Sequence, residues 1–238
     1  MAENTFLDGG IAVVTGGGKG IGRAIAMRLA SLGADTVLAG TTAATLERTA
    51  ADIADAGGRA RRVVADVSDE ADVLRLFAEA GPVDVLINNA AVGRFASVRD
   101  TTLADWERVM AVNLRGAFLC SREAMRSMAG RGGRIINISS VVGIKGYAGQ
   151  AAYTAAKHGL MGLSKVMAAE GQADGIVTQV IAPGGVDTDM AGAARPDLDR
   201  SGMIRPEDIA DAVEFLLRQR GNAITDLVQV RRRANAPW

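Results

Sequence analysis

Cysteine, histidine and proline are scarce in this chain of 238 residues, and neither sign of charge prevails. The one cysteine, Cys120, excludes an internal disulfide and suits a reducing compartment. It lies in the apolar helical stretch Gly116-Ala-Phe-Leu-Cys120, where a buried side chain is expected rather than a reactive thiol. The one histidine, His158, neighbours Lys157 in a helical run and is expected on the helix surface. No carboxylates show metal-ligand spacing, so no metal is expected. Lys+Arg and Asp+Glu stand at 27 each, which argues against a nucleic acid or an anionic membrane as partner. No apolar run approaches the ~20 residues that span a bilayer. Met1-Ala-Glu-Asn also lacks the basic start and apolar core of a signal peptide. A cytoplasmic protein is the expectation. With no repeat, linker or low-complexity tract, one domain over residues 1–238 is expected.

What is present is an alternation of short apolar runs and helical segments. Strands are expected at Ile11–Thr15, Thr36–Ala39, Arg62–Ala65, Val83–Ile87, Arg134–Ile138, Val177–Ile181 and Leu227–Val230. Helices are expected to begin near Gly22, Ala43, Asp69, Thr102, Ala151 and Pro206, several with start signals such as Thr102-Leu-Ala-Asp105 and Pro206-Glu-Asp. Trp106 and Phe118 sit at helical spacings consistent with core packing. The pattern predicts an α/β, doubly wound Rossmann-type sheet of about seven parallel strands with helices on both faces. In that architecture ligands bind at the carboxyl ends of the strands.

Two motifs fall at such ends. Ile11–Thr15 runs into Gly16-Gly-Gly-Lys-Gly20-Ile-Gly22 and then a helical run. Strand, glycine-rich turn and helix N-terminus in that order make a pyrophosphate site, because backbone N–H groups and the positive helix end face the anion. Further on, Ser140 follows an apolar strand, and Tyr153 and Lys157 stand four apart in an Ala-rich helical run, on one face. A free phenol has a pKa of about 10, too high for a base at neutral pH, and a neighbouring ammonium is expected to draw it down. Together these are proton-transfer groups for a carbonyl–alcohol pair.

The chain resembles the short-chain dehydrogenase/reductase family, classical type, over nearly its whole length. Thr15-Gly-Gly-Gly-Lys-Gly-Ile-Gly22 is similar to the family's cofactor turn, which implies Gly16, Gly18, Lys19, Gly20, Ile21 and Gly22 as cofactor contacts. Asp66-Val67 resembles its adenine-contacting pair, and Asn88-Asn-Ala-Ala91 its Asn-Asn-Ala-Gly element, which implies Asn89, Ala90 and Ala91, with Ala91 where the family usually has Gly. Pro183-Gly184…Val186…Thr188 resembles the segment cradling the nicotinamide, and Asn113, Ser140, Tyr153 and Lys157 fall on the catalytic positions. The resemblance implies that Tyr153 acts as general acid or base and that Lys157 tunes it and holds the nicotinamide ribose. Ser140 would bond the carbonyl oxygen, and Asn113 would complete a proton path through Lys157.

The end of the second strand, Gly40-Thr41-Thr42, carries no acid to bond a ribose 2′-OH, and the resemblance puts Lys19 where NADP-preferring relatives often keep a basic residue close to the 2′-phosphate. NADP(H) is therefore the expected cofactor, with NAD(H) the alternative. The helices Thr102–Met128 and Ala151–Ala169 are apolar over more than one face, which predicts a homotetramer or homodimer. A short Gly/Ala-rich connection after Thr188 predicts an open site for a small ketone or secondary alcohol. Arg94 is expected as a solvated loop charge, and Arg231-Arg-Arg233 as a solvated tail or subunit contact. Two other readings remain. One is a 3-oxoacyl-carrier-protein reductase, for which Arg122, Arg126 and Arg131 would dock the acidic carrier. The other is a dinucleotide-binding sensor without turnover, which should lack one of the catalytic residues.

Overall fold

The computed structural model describes residues 7–194, 199–219 and 222–235. In chain order the elements are β1 (Ile11–Thr15), α1 (Gly20–Ser31), β2 (Asp35–Gly40), α2 (Ala43–Asp55), β3 (Arg59–Val64) and α3 (Glu70–Ala80). They continue with β4 (Val85–Asn88), α4 (Leu103–Met110), a π-helical turn (Ala111–Arg115), α5 (Gly116–Met128) and β5 (Gly133–Ile138). The last are α6 (Ala151–Gly171), β6 (Ile176–Pro183), α7 (Asp189–Ala194), α8 (Pro206–Leu217) and β7 (Leu227–Val230).

The seven strands form one sheet in the order β3-β2-β1-β4-β5-β6-β7, and every pairing is parallel. Alternation along β1 assigns Ala12 and Val14 to the core under α1 and α8, and Val13 to the core under α3, α5 and α6. Strand order reverses between β1 and β4, so their carboxyl ends open a crevice, the usual ligand position in such sheets. Among the described residues no helix is long and apolar enough to cross a membrane.

Several boundaries differ from expectation for physical reasons. β3 starts at Arg59 rather than Arg62, because backbone pairing with β2 from Asp35 onward does not need apolar side chains on an edge strand. α1 starts at Gly20, two residues before Gly22. The helix expected over Thr102–Met128 is broken by the π turn around Asn113. Such a turn inserts a residue and redirects the following helix. The segment after Thr188 contains α7, and residues 195–198 of that expected connection lie outside the described residues. Trp106 and Phe118 are 36% and 43% exposed, so neither is core. Their spacing placed them on a helix face but could not say which face met the sheet.

Candidate active site

The glycine turn is tight. Gly16 and Gly20 have φ of +66° and +53°, which favours glycine, and a Cβ on Gly22 would collide with the Gly16 carbonyl oxygen. Asn89 braces the turn from β4: its Nδ2 donates to Thr15 O at 2.9 Å, and Thr15 Oγ1 accepts from the N–H groups of Asn89 and Ala90 at 3.0 Å. Gly18 lies against Thr45 in the first turn of α2. Lys19 is the N-cap of α1 yet makes no side-chain cap bond, and the first turn of α1 contains no acid. The N-terminus of α2, behind Thr42, likewise has neither a side-chain cap bond nor an acid. Two uncapped helix ends therefore lie beside one glycine cradle, and both favour anions. These residues fit a dinucleotide.

Thr188 covers this cradle, since a Cβ on Gly20 would come 3.2 Å from its methyl. Its Oγ1 caps α7 by accepting from Ala191 N at 3.3 Å. Lys19 Nζ reaches Asp189 at the start of α7, 3.5 Å away, and both side chains are exposed. Gly184 N donates to Val230 O at 2.7 Å, and Val186 pairs with Ile204, so the segment after Pro183 is held from behind by β7.

Asp66 and Val67 follow β3. The Asp66 carboxylate accepts from Ser68 N at 2.9 Å and from Ser68 Oγ at 2.6 Å, and pairs with Arg108 at 3.2 Å. Burial alone would raise its pKa, but the Ser68 bonds and Arg108 prevail and lower it. Val67 is buried against Gly116.

Ser140, Tyr153 and Lys157, the groups expected to transfer protons, gather at the carboxyl ends of β5 and β6. Ser140 Oγ donates to Pro183 O at 3.3 Å and accepts from Val142 N at 3.3 Å, which caps a short 3₁₀ turn. Lys157 is 2% exposed, and its Nζ donates to Ile138 O at 2.8 Å. The same Nζ lies 5.7 Å from the centre of the Tyr153 ring. Burial pushes the half-buried Tyr153 phenol up to about 12 and draws Lys157 down to about 8. This corrects the expectation of a lowered phenol: Lys157 spends its close hydrogen bond on a backbone carbonyl, and desolvation dominates. Asn113, 1% exposed, accepts from Val92 N at 2.8 Å and donates to Val92 O at 2.9 Å. Its amide therefore holds the loop after β4 to the π turn.

Three features escaped the sequence. Phe95 packs on Tyr153 with ring centroids 5.5 Å apart and planes at 56°. Its place in the loop after β4, in a chain poor in aromatics, was the available signal. The second is a buried polar chain under α6: Asn88 Nδ2 donates to Ser121 Oγ and Asn137 Oδ1, each at 2.8 Å, and Asn137 Nδ2 donates to Ser164 Oγ at 2.8 Å. Ser139, the third, sends its Oγ to Lys157 O at 3.4 Å. His158, Arg94 and Cys120 stand as expected, apart from these groups. His158 is exposed with Nδ1 3.0 Å from Thr154 O, and Arg94 pairs with Asp105 at 3.3 Å. Cys120 is buried, and burial raises its thiol to about 12.

A parallel sheet with this strand order, a glycine cradle and a Ser–Tyr–Lys cluster define a nicotinamide-nucleotide-dependent oxidoreductase. The family model described as short chain dehydrogenase matches residues 10–199, and the chain belongs to the short-chain dehydrogenase/reductase family, whose members act on CH–OH groups. It is 38% identical to a short-chain dehydrogenase/reductase of Armillaria gallica, over 94% of this chain and 95% of the relative. It is 40% identical to the 3-oxoacyl-acyl-carrier-protein reductase FabG of Escherichia coli, over 92% and 93% respectively. Among solved structures it is similar to a candidate NAD(P)-dependent gluconate 5-dehydrogenase of Beutenbergia cavernae with NADP at low occupancy. That similarity has TM-score 0.84 and 36% identity, covering 90% of this chain and 91% of the other. It also resembles levodione reductase, with TM-score 0.87 and 32% identity over 94% and 96%.

Proposed function

We propose that this enzyme interconverts a small ketone and its secondary alcohol with NADP(H), using Tyr153 as the proton donor or acceptor. The observation that carries the reading is the convergence of Ser140, Tyr153 and Lys157 beside Pro183 at the carboxyl ends of β5 and β6. A nicotinamide cofactor, when bound, supplies or accepts the hydride. Gly16, Gly18, Lys19, Gly20, Ile21 and Gly22 would hold its pyrophosphate, with Gly40, Thr41 and Thr42 near the adenosine ribose. Asp66, Val67 and Asn89 to Ala91 would line the adenosine side, and Lys157, Pro183, Gly184, Val186 and Thr188 the nicotinamide side.

In the reducing direction Tyr153 enters with its proton secured by burial and releases it to the carbonyl oxygen as negative charge develops there. Ser140 gives up a long bond to Pro183 O and donates to the same oxygen, which stabilises that charge. Lys157, still largely protonated at neutral pH, supplies the positive charge that the phenolate requires once the proton has left. Asn113 acts by fixing the loop that carries Val92 and, three residues on, Phe95. The half-exposed Phe95, packed on the Tyr153 ring, offers an apolar surface for the substrate body.

NADP(H) preference is supported by the two uncapped helix ends, the acid-free end of β2 and Lys19. Self-association is supported by an apolar hollow lined by Met110 of α4, Leu114 of the π turn, Phe118 of α5 and Leu163 of α6, with Phe118 exposed. A homotetramer or homodimer would cover it, and light scattering of the parent protein tests this.

A second reading, an acyl-carrier-protein reductase, draws support from the FabG relatives. The arginines that would dock a carrier are already engaged: Arg122 with Glu70 at 2.6 Å, Arg126 with Glu123 at 2.9 Å and Arg131 with Asp84 at 3.3 Å. Exposed pairs of this kind yield readily, and the small-ketone reading is preferred for the short Gly/Ala-rich connection after Thr188. NADPH oxidation across diketones, keto-sugar acids and acetoacetyl-carrier protein tests it. The expected result is the highest kcat/KM on a free small ketone, and a clear preference for the carrier-bound substrate would overturn it.

A further inference from the structure

β7 ends at Val230, and Arg231, Arg232 and Arg233 follow immediately. Most arginines of this chain are neutralised by a carboxylate, as Arg23 is by Asp52 and Arg61 by Asp35. None of these three has an acidic partner among the described residues. Arg231 instead donates to the backbone carbonyls of Arg232, Arg233 and Asn235, at 3.2, 3.4 and 2.6 Å, and so folds the tail without losing its charge. Arg232 lies over Gly185, with its Cδ and Nε 3.8 Å from where a Cβ there would stand. Its Nε is shut off from solvent and has no acceptor. Packed against Gly185, this Nε is closed to a ligand as it is to water, so the guanidinium can offer a ligand only its terminal nitrogens, which bond no described residue.

The three arginines, with Ser201, Met203, Ile204 and Asp208, line a cavity of about 400 Å³. Among the described residues the one carboxylate in its wall, on Asp208, is already taken by Arg205 at 2.9 Å and by the Arg205 N–H at 2.9 Å. The cavity thus presents net positive charge, a fork-shaped donor and room for a small molecule. It lies against the segment after Pro183, and Tyr153 is not among its lining residues: Ile204 in its wall bonds Gly185 O at 3.1 Å and accepts from Asp187 N at 2.8 Å.

We propose that this cavity is a second ligand site, for a small polyanion carrying a phosphate or clustered carboxylates, with Arg232 and Arg233 as its principal donors. Arg232 would grip the anion through its two terminal nitrogens, as such forks do with phosphate and carboxylate. The site rests on this geometry alone and does not depend on the reaction proposed for Tyr153.

Calorimetric titration of inorganic phosphate and of citrate into the full chain, at constant ionic strength with chloride as baseline, tests it. The parent should bind one anion per chain in this cavity, besides any that the glycine cradle takes. Arg232→Gln should weaken binding about tenfold or more, the loss of one charge-assisted hydrogen bond. Arg233→Gln should weaken it independently, which keeps the test valid if the first variant folds poorly. Lys19→Ala, at the glycine cradle, should leave it intact. Binding of phosphate alone would assign a phosphorylated ligand, and of citrate alone a carboxylate one. No saturable binding of either, or binding lost in Lys19→Ala and retained in both arginine variants, would overturn the proposal.

Discussion

Lys157 donates its hydrogen bond to the Ile138 carbonyl at 2.8 Å while its ammonium stands 5.7 Å from the Tyr153 ring. One lysine thus ties α6 to the end of β5 and places a charge beside the phenol. Burial opposes both charged forms, and it separates the two groups in opposite directions, Tyr153 to about 12 and Lys157 to about 8.

This sets a pH dependence for stability. Lys157 in the fold loses its proton near 8, against 10.5 for a free lysine, so the unfolded chain holds the extra proton between those values. Stability from this group therefore rises with pH across that window, and below it the cost of burying the ammonium is full. The melting temperature of Lys157→Met relative to the parent should accordingly be highest near pH 7 and decline towards pH 10. Tyr153, raised in the fold, acts oppositely above pH 10, where the unfolded phenol begins to ionise. A difference that stays flat from pH 7 to 10 contradicts a buried charged lysine.

The chain from Asn88 through Asn137 to Ser164 fixes α6 against the sheet. Asn137→Val removes the central amide; Asn88 Nδ2 keeps Ser121 Oγ and Ser164 Oγ keeps Leu160 O, so each loses one of its two bonds, at roughly 0.5–1.5 kcal/mol each. Denaturant unfolding should show a loss within that range or somewhat above it. kcat should fall with it, because Tyr153 and Lys157 ride on the same helix.

Cofactor choice is read most simply at Gly40. A Cβ there meets only Leu46 Cδ2 at 3.5 Å, an ordinary contact, so an acidic side chain can be built without disturbing β2. Gly40→Asp supplies the missing acceptor for a ribose 2′-OH and repels a 2′-phosphate. The ratio of kcat/KM for NADPH over NADH should fall at least about tenfold, which corresponds to about 1.4 kcal/mol. A ratio unchanged by the substitution would remove Gly40 from the account of cofactor preference.

The legibility of this molecule in its sequence divides along physical lines. Apolar strands bounded by turns, such as Ile11–Thr15 and Leu227–Val230, are visible because their composition is imposed by burial or β-pairing. The first residues of β3, Arg59-Ala-Arg-Arg, are not, since edge-strand pairing uses backbone groups that every residue carries. The spacing of Tyr153 and Lys157 is set by the helix repeat and so is readable. The destination of the Lys157 hydrogen bond depends on where β5 ends in space. For the same reason the π turn at Asn113, the contact of Phe95 with Tyr153 and the outward faces of Trp106 and Phe118 emerge only from the packed structure.

The central claim is that the Tyr153 phenol moves the proton. Its most direct test is Tyr153→Phe, which removes one oxygen and keeps the ring that packs on Phe95. NADPH affinity measured by fluorescence should stay close to that of the parent, while kcat for ketone reduction falls about 10²–10⁴-fold, the usual loss of a general acid. Undiminished turnover in this variant, with the fold and cofactor binding intact, would contradict the account.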